Sequence, residues 1–117
     1  MLRDLQRALA VALASNSPLE TLKKEAAALS PEARDTLDRL NLEQFLLSSL
    51  LVRKLRFERI CRGDTKSEEW FGRDPEGFTK AFQAYNAEIP PVEFFPRPEA
   101  QAFRAWCKMK GIVNPAL

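Results

Sequence analysis

A capping residue followed by proline recurs along this chain, and each recurrence marks where a helix begins. Ser17-Pro18-Leu19-Glu20 supplies an N-cap, a proline at the first helical position and a glutamate at the third, which together form a capping box. Ser30-Pro31-Glu32 and Asp74-Pro75-Glu76 repeat the start, Asn41-Leu42-Glu43-Gln44 offers another, and Pro98-Glu99 opens a last helix. Proline is tolerated there because the N–H it lacks is one the helix leaves unpaired anyway. A chain punctuated this way has little room for anything but helices.

The apolar residues between the caps follow a helical period. Leu2, Leu5, Leu9 and Leu13 share a face with Ala12; Leu19, Leu22, Ala26 and Leu29 form a second stripe; Ala33, Leu37 and Leu40 form a third. From Leu42 no breaker appears until Gly63, so a helix over Leu42–Arg62 is predicted, about 30 Å long. Its first half, Phe45–Val52, is apolar nearly all round, which predicts a central helix enclosed by neighbours. Thr65-Lys66-Ser67-Glu68 reads as the cap of a short helix carrying Trp70 and Phe71, with Gly72 to end it. Phe78, Phe82 and Tyr85 recur at helical spacing, and Phe103 and Trp106 do the same before Gly111. The expected fold is all-α: a single-domain bundle of six to seven helices. Residues 1–41 would give leucine- and alanine-rich helices, 42–62 the central helix, and 63–117 the aromatic-rich helices. The best strand candidate, Val92–Phe95, is short and hemmed in by proline.

Composition bears on chemistry. The chain has no histidine, which removes the commonest general base, the commonest transition-metal ligand and the Ser-His and Cys-His nucleophile arrangements. The carboxylates are scattered rather than gathered. No catalytic residue, metal ligand or cofactor site is expected, and the chain is not expected to be an enzyme by itself. Cys61 and Cys107 stand in no metal-ligand spacing and read as free, buried thiols. No stretch has the length of a membrane span and Leu2–Ala14 is amphipathic, so a cytoplasmic location is the expectation.

Ten of the eleven aromatics lie after residue 52, and so do twelve of the eighteen basic residues. Arg53, Lys54, Arg56, Arg59 and Arg62 make the end of the long helix basic. That stretch reads as a solvated face suited to a helix C-terminus, as a docking surface for an acidic segment, or as a nucleic-acid contact diluted by Glu58, Asp64, Glu68 and Glu69. Phe94 and Phe95 sit among Pro90, Pro91, Pro96 and Pro98. Adjacent residues of an extended loop point to opposite sides, so one phenylalanine can enter the core while the other meets a partner. The prolines lower the entropy lost on ordering such a loop.

The series Arg56–Asp64, Trp70-Phe71, Asp74–Tyr85, Pro90-Pro91 and Phe95–Trp106 resembles small bacterial helical proteins that partner multinuclear non-heme iron-dependent oxidases, the TglI-like proteins among them. Those oxidases modify cysteines of ribosomally made peptides in RiPP biosynthesis, and the partner helps engage the peptide. The resemblance implies an accessory subunit, with iron and its ligands on the oxidase and binding surface on this chain. Arg53, Arg56, Arg59 and Arg62 would then supply polar contacts, and Phe94, Phe95 and Trp70 apolar ones. A helical nucleic-acid-binding regulator and a self-associating structural protein are the alternatives.

Overall fold

The computed structural model describes residues 2–91 and 95–112. Among them are seven α-helices and no strand: α1 (Leu2–Ala14), α2 (Pro18–Ala27), α3 (Pro31–Asp38), α4 (Leu42–Cys61), α5 (Thr65–Arg73), α6 (Pro75–Glu88) and α7 (Pro96–Met109). The protein is all-α, as the punctuation predicts. The strand candidate Val92–Phe95 falls largely outside the described residues, and Phe95 itself caps α7.

The caps behave unequally. Ser30 Oγ accepts from the Ala33 N–H at 3.2 Å, and Asn41 Oδ1 accepts from Gln44 N–H at 3.1 Å. Asp74 closes α5 and opens α6, its carboxylate accepting from Gly77 N–H at 3.0 Å. Three expectations are corrected. Ser17 makes no side-chain cap; Ser15 Oγ takes the Ser17 N–H at 3.0 Å instead, and lies 2.6 Å from the Thr21 hydroxyl. The cap of α5 is Asp64 rather than Thr65, because a carboxylate accepts more strongly from the Ser67 N–H, at 2.8 Å. Gly72 does not end α5, which runs on to Arg73; Gly111, at φ 73°, is the left-handed terminator after α7.

The chain divides into two compact units, Met1–Arg53 and Lys54–Leu117, and α4 runs from the first into the second. In the first unit Leu5, Ala12, Leu22, Leu37 and Phe45 form the core, with Leu9, Leu13, Ala26, Leu29 and Leu40 packed around it. Ser49 Oγ donates to the Leu13 carbonyl at 2.8 Å, satisfying one of the acceptors that the end of α1 leaves open. The expectation of an enclosed first half of α4 is overturned. Phe45 and Ser49 are buried, but Leu42, Leu46, Leu47, Leu50, Leu51 and Leu55 are exposed. Three short helices cover one side of a fourth, and a helix enclosed all round needs neighbours on every side.

In the second unit the core is aromatic. Ile60, Trp70, Phe78, Phe82, Tyr85, Phe103, Trp106 and Cys107 are buried together. Phe57 meets Phe71, Phe78 and Phe82 edge-on at centroid distances of 5.2–5.7 Å, and Trp70 stacks on Phe103 at 5.7 Å. These are the favoured geometries for ring quadrupoles. Gly63 brings the loop after α4 against the start of α7: a Cβ there would collide with the Pro96 carbonyl and lie 2.7 Å from the Arg59 carbonyl.

Candidate functional site

The last turns of α4 do not present a row of arginines. Arg56 projects from the same helix face as Phe45, Ser49 and Ile60, so it turns inward and is 1% exposed. Its Nε donates to Glu99 Oε1 at 2.8 Å, and its Nη1 donates to Asn86 Oδ1 at 3.0 Å and to the Ile89 carbonyl at 2.7 Å. Its guanidinium lies over the Tyr85 ring, 4.6 Å from the centroid, and the Tyr85 hydroxyl donates to Glu99 Oε2 at 3.3 Å. Arg59 Nη2 stands 3.8 Å from Glu99 Oε1. Burial, then the charge of Glu99, holds the Tyr85 phenol above its usual range, so it stays a protonated donor. This cluster ties α4, α6 and α7 together and reads as a structural clamp: both Glu99 oxygens and two of the three Arg56 nitrogens are engaged within the fold, while Arg56 Nη2 and Arg59 Nε are buried without a hydrogen-bond partner.

The candidate contacts therefore separate. Arg56 and Trp70 are corrected from partner contacts to interior residues; both are almost fully buried, because each sits on the inward face of its helix. Arg53 is half-buried, with Nε donating to the Ser49 carbonyl at 3.4 Å. Arg59 is half-buried against Glu99, and Arg62 is exposed. The basic stripe that a phosphate backbone would follow is thus interrupted at its middle. Phe94 lies outside the described residues. Phe95 is 70% exposed, at the N-cap position of α7, and Pro96, Arg97 and Pro98 beside it are exposed as well.

A cleft of about 470 Å³ opens between α5 and α7, lined by Lys66, Trp70, Gln101, Arg104, Cys107 and Lys108 among others. Arg104 donates to Asp64 through Nε at 2.9 Å and also through Nη2. Burial would raise the Asp64 pKa, but the Ser67 N–H and the Arg104 guanidinium outweigh it and hold the carboxyl below its ordinary value. Burial pushes the Cys107 thiol up to about 11, so near neutral pH it stays protonated and a poor nucleophile. Cys61 is raised too, by burial and then by Glu68; both cysteines are free. Among the described residues no group of three or more Cys, Asp or Glu is placed to hold a metal ion, and no helix is long and apolar enough to cross a membrane.

Sequence reasoning missed Glu99, Tyr85 and Asn86 as partners of Arg56. A signal was present: Arg56 lies seven residues after Ser49 and four before Ile60, on the inward side of the helix wheel. An arginine there needs a buried carboxylate. The site and fold together define an all-α protein with an aromatic core, a buried charge clamp and exposed apolar residues on α4 and at the head of α7. No family model, curated protein or solved structure matches the chain.

Proposed function

We propose that this chain is a non-catalytic interaction protein, an accessory subunit that docks on a peptide-modifying iron-dependent oxidase and helps engage its ribosomally made substrate. The observation that carries the docking role is Phe95. Eight aromatics of the second unit serve its core or pack against it, whereas this one is 70% exposed. It stands at the start of a helix whose first residues include Pro96 and Pro98, so little conformational freedom remains to be lost when a partner's pocket receives it. Arg62 and Arg97, both exposed, would add polar contacts. The choice of an oxidase as the partner rests on the sequence resemblance.

Affinity capture of the tagged full chain from its native lysate, with iron analysis of the eluate, tests this. The expected result is a stoichiometric iron-containing oxidase, retained at least tenfold less by Phe95→Ala, a change of about 1.4 kcal/mol or more and ordinary for an anchor residue. Far-UV helicity of the variant should match wild type. An eluate holding only this chain, or capture indifferent to Phe95, overturns the reading.

A further inference from the structure

The exposed leucines of α4 form a pattern that reads the same from either end. About a point between Ser48 and Ser49, Leu47 mirrors Leu50, Leu46 mirrors Leu51, Leu42 mirrors Leu55, and Glu43 mirrors Lys54. All six leucines are exposed, Leu47 by 60% and Leu50 by 54%. Glu43, Leu47, Leu50 and Lys54 follow one another at steps of four, three and four residues, the spacing of a coiled-coil seam. At 100° per residue Leu46 and Leu51 flank that seam symmetrically on its two sides, and Leu42 and Leu55 lie further out.

We infer that this face binds a second copy of the chain, α4 against α4, antiparallel about a two-fold axis passing between Ser48 and Ser49. An isologous interface requires that when residue i meets residue j, j also meets i. The palindrome meets that condition with like for like in the apolar positions and unlike for unlike in the charged ones. Leu47 of one copy meets Leu50 of the other, and each end of the seam is closed by Glu43 against Lys54 of the opposite copy. A parallel pair would set Glu43 beside Glu43 and Lys54 beside Lys54. Shifting an antiparallel pair by one heptad would put Lys54 onto Leu50 and Glu43 onto Cys61, or Glu43 onto Leu47 with Lys54 beyond the start of α4. Charge complementarity therefore selects both the orientation and the register. The area agrees with a pair of modest strength. The leucine stripe offers on the order of 500 Å² per copy, near the largest apolar patch a monomer ordinarily exposes. It approaches the ~800 Å² per partner of a standard interface only when the polar rim is added. A dissociation constant on the order of 10 μM is expected.

Sedimentation velocity on the full chain from about 1 μM to about 1 mM tests the inference. Wild type should pass reversibly from monomer to dimer. Glu43→Lys and Lys54→Glu, each placing like charges at both ends of the seam, should each weaken the dimer about tenfold. The double reversal Glu43→Lys/Lys54→Glu restores the opposite-charge pairing and should return to within about threefold of wild type. Leu47→Glu should leave a monomer of unchanged helicity, since that side chain is 60% exposed and belongs to neither core. A monomer at every concentration overturns the inference, whether another protein or the chain itself covers the face. So does a dimer that the double reversal does not rescue. Phe95→Ala should leave the dimer intact, so failure of the oxidase reading and failure of this one remain distinguishable.

Discussion

Taking a guanidinium and a carboxylate out of water costs several kcal/mol each, and Arg56 and Glu99 recover it through their ion pair and the hydrogen bonds around it, with Nη2 alone of the three Arg56 nitrogens left buried and unpartnered. Glu99 accepts from Arg56 through one oxygen and from Tyr85 through the other; Arg56 also serves Asn86 and the Ile89 carbonyl. That last carbonyl lies at the C-cap of α6, where a helix leaves acceptors open. The clamp therefore solves a helix-end problem and an ion-burial problem with one side chain. Breaking it from one side leaves a buried charge unpaired. Arg56→Ala is expected to cost about 3–5 kcal/mol in urea unfolding. Replacing both members by apolar residues of similar volume, Arg56→Met with Glu99→Leu, should recover most of that loss, because no charge remains buried. If the double variant is as unstable as the single, the hydrogen bonds to Asn86 and Ile89 rather than the ion pair carry the clamp.

Helix starts depend on which side chain reaches the open N–H groups, and Asp64 does so at α5 while also holding Arg104 of α7. Its carboxyl is held below its ordinary pKa, so the folded state favours the charged form. The stability it supplies is full above the unfolded value, near 3.9, and drains away as pH falls through the folded value. Asp64→Asn should cost about 1 kcal/mol at neutral pH, and the difference from wild type should close as pH drops below about 4. A gap unchanged in acid would assign the loss to packing rather than charge. The same elements show what a sequence exposes to view. Ser30, Asn41 and Asp74 could be read as caps because the cap bond is local, spanning three residues. Ser17 could not be told from Ser30: its N–H goes to Ser15 Oγ and its own hydroxyl makes no cap bond, an outcome set by the shape of the α1–α2 turn rather than by the four-residue motif. The starts of α3, α4 and α6 were legible for that local reason. The inward turn of Arg56 and the outward turn of the α4 leucines were harder to see, because each depends on which side of α4 its neighbours occupy, a fact carried by no single segment. Of the residues singled out as contacts, Phe95 and Arg62 are at the surface and Arg56 and Trp70 are not. Helical spacing alone separates an aromatic core from an exposed anchor only where a proline-framed start, as at Phe95, falls outside the period.

At the scale of the molecule, the two units are built from different materials. Met1–Arg53 is held by Leu5, Ala12, Leu22, Leu37 and Phe45; Lys54–Leu117 by rings in mutual edge contact, together with the Arg56 clamp. A core of leucine and alanine removes less apolar area from water than one of tryptophan and phenylalanine. Each unit is also near the size at which a single core becomes marginal. The second unit is therefore expected to outlast the first in urea. The probes for this are already in place, since Trp70 and Trp106 both lie in the second unit while helices of both units contribute to far-UV circular dichroism. Helicity should begin to fall before tryptophan emission shifts, and the two transitions should not superimpose. Most of the leucine stripe belongs to the first unit, so an α4 pair would stabilise that unit by mass action, and raising protein concentration should move the early transition upward while leaving the tryptophan transition nearly still. Coincident transitions would mean that α4, continuous through both units, makes them melt as one. A tryptophan transition that moved with concentration as much as the early one would place the association on the aromatic unit instead of the leucine stripe.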